Sequence, residues 1–238
     1  MSTPFRLSAG RPAPRQQSSL TCGAACLTVA RMLVDAPFAR WVMTGAGHPV
    51  PGAEGDSRAE RFASYERTVH RRTNSLQLRA GALRPPWPRS LGTPPWGAKA
   101  ELENGASWVG TQYEYAMLRH LDQAGRVHAY ATLVDRVVEG EPALLYVGST
   151  TLPRHVTLVL PGDGDTRLDV YDPGTGTVHE VDDTPFAAGL MGLSGWDVPW
   201  LVIQPTGHRR VRTRSRPLEG IQLPRLARDP VAEPLQRR

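Results

Sequence analysis

The chain predicts one α+β domain, with a helical first half and an antiparallel sheet in its second half. Three observations carry this reading. Apolar residues recur at helical spacing from residue 22 onward, then at strand alternation after Gly140. The helices come first and the strands after, with no internal repeat. With 22 Pro and 23 Gly in 238 residues, the elements must be short and well punctuated.

Residues 1–15 are rich in Pro, Arg and Ser and read as a disordered lead-in. A helix then starts at Cys22 and runs to about residue 33, with Thr21 as its expected N-cap and Ala25, Val29, Met32 and Leu33 on its buried face. Asp35 and Pro37 open a second helix over 38–43. A charged helix is expected over 57–74, with Phe62, Tyr65 and Val69 on one face. The Pro/Trp stretch 81–95 cannot be regular structure. Thr93 is placed to cap a helix that begins at Pro94-Pro95 and stops at Asn104-Gly105. Two more helices are expected over 112–123 and 129–138. Strands follow over 143–147, 155–160, 168–172, 178–181 and 200–203.

The net charge of +5 is misleading. From His208 to the end, nine arginines face Glu219, Asp229 and Glu233, so this stretch carries +6 and the other 207 residues sum to −1. The folded body is close to neutral, and 207–238 reads as a disordered basic tail. No aromatics interleave with its arginines, which argues against a nucleic-acid partner. No apolar run reaches membrane-spanning length, and the first residues lack the apolar core of a signal peptide. Cys22 and Cys26, the two cysteines, are too close along one helix for an unstrained disulfide, and there is no second pair for a zinc site. Reduced thiols, no metal, no cofactor and a cytoplasmic location are expected, with export without a signal peptide left open.

The chemistry begins at the join between loop and first helix. Cys22 falls in the first helical turn, where unpaired N–H groups and the positive end of the macrodipole favour negative charge on sulfur. Gly23 beside it leaves room for a substrate backbone. A free cysteine is more usually a small buried hydrophobe, and Cys26, one turn on, reads as that. A second group forms further along. Asp163-Gly164 is a two-residue hairpin signal, and with those two as the loop His155 falls directly opposite Asp172. Cross-strand partners hold their Cβ atoms about 5 Å apart on one face, so the turn alone sets an imidazole beside a carboxylate. Pro173 then ends the pairing. An ordinary surface His–Asp pair would look the same, and a one-residue register change would separate them.

Gln16-x5-Cys22-Gly23-x-Ala25, a distant His155 at a strand start, and Tyr171-Asp172-Pro173-x-Thr175-Gly176 together resemble the papain-like cysteine peptidases. The likeness is nearest to the branch that processes double-glycine leader peptides of bacteriocins, and to its stand-alone relatives. It covers about 16–33 and 144–176. It implies a papain-like fold over 16–206, with a Cys-bearing central helix packed on the sheet that carries the His and Asp. By this resemblance Cys22 is the nucleophile, His155 the general base and acid, and Asp172 its orienter. Gln16 would be a side-chain oxyanion donor, with Gln17 as the rival if the loop is one residue shorter. The helical, Pro/Trp-rich insert 36–110 has no counterpart in the family, and the acidic residue usual before the Cys is Thr21 here.

The implied activity is that of a hydrolase, a cysteine peptidase cleaving a peptide or isopeptide bond in a peptide or protein substrate through a thioester. Two alternatives stand beside it. One is an acyltransferase or deamidase using the same site. The other is a catalytically silent papain-like module that binds a partner through the insert.

Overall fold

The computed structural model describes residues 5–47, 50–51, 53–75, 87–88, 91–162 and 166–209. Helices α1 (Cys22–Val34), α2 (Ala36–Thr44), α3 (Arg58–Thr73) and α4 (Pro95–Glu101) come first, and α4 runs into a short π-turn, Leu102–Ala106. Strand β1 (Thr111–Met117) and helix α5 (Gln123–Arg136) follow. The rest is β2 (Ala143–Gly148), β3 (Pro153–Pro161), β4 (Leu168–Asp172), β5 (Thr177–Val181), α6 (Asp183–Ala188) and β6 (Val198–Arg209). The six strands form one antiparallel sheet in the order β1-β6-β2-β3-β4-β5. The fold is α+β.

Strand alternation divides the core in two. Leu144, Tyr146, Val156, Leu158, Tyr171 and Ile203 pack with α1 and the helical half. Ala143, Leu145, Val147, Val159, Val170 and Val202 pack on the other face, with Tyr130 and Leu133 of α5 and Phe186 of α6. Every residue of β2 is buried, which is why its sequence is continuously apolar rather than alternating. Helix α1 is buried over most of its surface, from Cys22 through Ala30 and at Met32. Each of Leu27, Val29 and Met32 contributes about 1.5–3 kcal/mol by leaving water. The helix is thereby a rigid support for whatever stands at its first residue.

Several expectations are corrected. Thr21 stands at the N-cap position of α1, but its side chain makes no capping bond. Its hydroxyl instead donates to Ser18 O at 2.9 Å and accepts from Ser18 N at 3.1 Å, tightening the preceding loop. Thr93 likewise does not cap α4. The first half of the stretch expected as a helix over 112–123 is β1, which completes the sheet along β6, and its Thr and Tyr residues suit a strand. The helix expected over 129–138 starts earlier, because Asp122 accepts from Gly125 N at 2.8 Å and caps α5.

The chain ends also differ from expectation. Residues 5–15 are laid along the domain rather than disordered, with Phe5, Leu7, Ala9 and Ala13 packed against the core. β6 extends through Arg209, past the assigned start of the basic tail. From residue 210 on, the tail lies outside the described residues.

The β3–β4 pairing is corrected as well. Pro161 pairs with Leu168 and Leu158 with Tyr171, so the connection is six residues rather than two. The Asp163-Gly164 turn itself lies outside the described residues. His155 therefore is not directly opposite Asp172. The register differs by two positions, and a slip of two leaves every side chain on its original face.

Candidate functional site

Cys22 is the first residue of α1, and the first helical bond is donated by Ala25 N to Thr21 O at 2.8 Å. The N–H groups of Cys22, Gly23 and Ala24 precede that bond and have no partner within the helix. With Thr21 turned away, the helix start is uncapped by any side chain. The space beside Gly23 is taken. A Cβ built there would lie 2.7 Å from the Cβ and Oγ1 of Thr93. This glycine admits Thr93, not the substrate backbone that the sequence suggests. Tyr146 Oη donates to Thr93 O at 3.1 Å and holds that segment in place.

His155 lies near the start of β3 and Asp172 at the end of β4. They meet diagonally across the ladder, with His155 Nε2 2.7 Å from Asp172 Oδ1. Both are enclosed, His155 at 5% exposure and Asp172 at 0%. An ionised carboxylate only accepts, so Nε2 carries the proton. Nδ1 is then left on the side away from Asp172, and Cys22 lies near enough to act on the ring. Burial disfavours the imidazolium, but Asp172 and Cys22 beside it outweigh that and push His155 up to about 9. Burial likewise opposes ionisation of Asp172. His155, Ser194 and the Gly174 N–H outweigh it and hold the carboxyl at about 2.

Cys22, His155 and Asp172 are thus brought together. Gln16 is tied in through its backbone, which donates to Pro173 O at 2.9 Å, one residue past Asp172. Its amide oxygen is buried with no hydrogen-bond partner. Gln17 is exposed, and its amide donates to Arg15 O at 3.3 Å. Cys26 is fully buried, and its thiol donates to Val156 O at 3.4 Å. Burial pushes that thiol well above its ordinary range, in keeping with a core residue.

Two groups at the site escaped the sequence reading. Ser194 Oγ lies 2.8 and 2.7 Å from the two oxygens of Asp172. Ser194-Gly195 is a turn signal, but nothing in its spacing points to Asp172. Glu66 of α3 is fully buried, and its Oε1 accepts from Gln17 N at 3.1 Å, clamping the loop that carries Gln16. Burial raises its carboxyl, while Thr21 and the Gln17 N–H pull the other way. A hollow of about 460 Å³ lies elsewhere, between the N-terminal segment and α2 around Phe5, Leu7 and Met43, and includes none of these groups. Among the described residues no set of three or more His, Cys, Asp or Glu could hold a metal ion, and no single helix is long and apolar enough to cross a membrane.

No family model matches the chain, and no curated protein matches it in sequence. Among solved structures it is similar to the peptidase domain of Streptococcus ComA, a bifunctional ABC transporter of a quorum-sensing pathway. That similarity has 13% identity and a TM-score of 0.41, covering 82% of this chain and 96% of that one. It is also similar to the Pseudomonas avirulence protein AvrPphB, with 12% identity and a TM-score of 0.43 over 82% of this chain and 96% of the other.

Proposed function

We propose that the protein is a papain-like cysteine hydrolase that cleaves a peptide or isopeptide bond in a peptide or protein substrate. One observation carries the reading. A thiol at an uncapped helix start lies close enough to raise the pKa of an imidazole that a buried carboxylate fixes from behind. His155 Nδ1 takes the proton from Cys22, and the sulfur attacks the carbonyl carbon. The imidazolium then gives that proton to the leaving nitrogen as the C–N bond breaks, leaving a thioester on Cys22. Water, deprotonated by His155, attacks the thioester, and the proton returns to the departing sulfur. The backbone N–H of Cys22 and the Gln16 amide are the oxyanion donors. Gln16 is preferred to Gln17, whose side chain is exposed and turned to Arg15. Within that class we read the chain towards the double-glycine-leader branch, on the Gln16, Cys22, His155 and Asp172-Pro173 motif positions alone.

The test is alkylation of Cys22 by iodoacetamide in a Cys26→Ser background, where the serine hydroxyl can keep the bond to Val156 O. His155→Ala is expected to slow the reaction about tenfold or more near neutral pH. A Cys22 that is inert, or indifferent to His155, would leave a binding module as the better reading. An activated ester such as p-nitrophenyl acetate separates the two reactive readings. Hydrolase action returns acetate with water, whereas acyl transfer diverts the acetyl group to an added amine.

A further inference from the structure

The Asp172 carboxylate is held by more than its histidine. Gly174 N donates to Oδ1 at 2.8 Å, and the Ser194 hydroxyl reaches both oxygens. We infer that Ser194 is the positioning residue of the site, holding Asp172 ionised and aimed at His155. This rests on the hydrolase reading above.

The backbone around Ser194 supports the assignment. Leu193 and Trp196 form an isolated bridge, with N–H···O distances of 3.0 and 2.9 Å in the two directions. The two residues between them have positive φ, 49° at Ser194 and 80° at Gly195, as a tight primed turn requires. Ser194 is the one non-glycine among the described residues with positive φ. A side chain in that region costs energy that Gly or Asn would largely avoid, so a serine there calls for a reason. The hydroxyl supplies one. Oδ1 already receives His155 and Gly174, while Oδ2 receives Ser194. A buried carboxylate oxygen without a donor would favour protonation or rotation, and either would release the imidazole. Gly174 is shaped to the same contact, since a Cβ there would lie 2.3 Å from Ser194 Oγ. The carboxylate is thus fixed by β4, by the 173–176 loop and by a turn just before β6. Ser194 acts through Asp172.

The experiment uses the full chain with Cys26→Ser, so that iodoacetamide reads Cys22 alone. Ser194→Gly suits the positive φ and preserves the turn while deleting the hydroxyl. It is expected to melt close to the parent yet be alkylated about tenfold more slowly near neutral pH, with the acid limb of the rate profile about one pH unit higher. Ser194→Asn, which tolerates the same backbone and carries an amide donor, is expected to recover part of both. A glycine variant with the parent's rate and acid limb would reduce Ser194 to a turn residue and overturn the assignment, while a slow His155→Ala would leave the hydrolase reading standing. If His155→Ala is as fast as the parent, that reading falls and takes this assignment with it.

Discussion

Replacing Asp172 with asparagine isolates the charge from the shape of the His155 contact. The amide occupies nearly the same volume, and its oxygen can still accept from Nε2, so the ring keeps its partner. What disappears is the anion. His155 stands at about 9 against an ordinary 6.5, which corresponds to about 3 kcal/mol in favour of the imidazolium. Burial works against that charge, so Asp172 and Cys22 together supply more than the net figure. In the asparagine variant burial and Cys22 remain, and His155 should titrate well below 9. The assay is an NMR pH titration of the His155 ring carbon-bound protons in selectively labelled protein.

Stability should follow. A histidine whose folded value is raised stabilises fully below about pH 6.5 and loses that contribution as pH rises through about 9. Asp172, depressed to about 2, contributes above its unfolded value of about 4 and loses this as pH falls through 2. The melting temperature of the variant should lie furthest below that of the parent between these limits and converge with it outside them. A His155 that still titrates near 9 without the carboxylate would refute the account of the site's electrostatics.

Two other perturbations test the scaffold. Gly97 of α4 lies against the end of α3, and a Cβ there would meet the Thr73 carbonyl oxygen at 2.3 Å. Gly97→Ala should therefore cost about 1–3 kcal/mol and lower the melting temperature by about 2–10 °C, and an unchanged melt would show that the two helices part freely. Glu66 is buried with its carboxyl raised, so it favours folding below its unfolded value and loses that contribution as pH rises through its folded value. Glu66→Gln removes this dependence, and its melting temperature relative to the parent should be more favourable at pH 8 than at pH 4. The reverse order would mean that the anion is needed where it stands.

The sheet's second half was legible because its residues obey period two and its turns carry Gly and Pro. Strands β2 to β5 fall within a residue or two of expectation, and β4 coincides with it. β1 was misread because Tyr115, Leu118 and Leu121 also fit a helical stripe, and only pairing with a distant β6 resolves the ambiguity. The His155–Asp172 pairing survived an incorrect turn because the error was even. The carboxylate's other supports were not legible. Ser194 is 22 residues from Asp172, and Glu66 reaches the Gln17 backbone from a helix 49 residues away. Such contacts depend on tertiary placement, which periodicity does not encode.

The backbone bond from Gln16 to Pro173 has a mechanical implication. Gln16 leads through a short loop to Cys22, Cys22 lies beside His155, His155 bonds Asp172, and Asp172 is followed by Pro173, which receives the Gln16 N–H. The contacts close into a ring. Ala13 N to Gly176 O at 2.9 Å and Arg15 Nε to Gly174 O at 2.8 Å fasten the incoming chain to the same loop. A force applied to the N-terminal segment is therefore delivered to the acid end of the site as directly as to the thiol end. A bulky fusion or tag placed within residues 5–15 would disturb the chemistry without touching a reactive side chain.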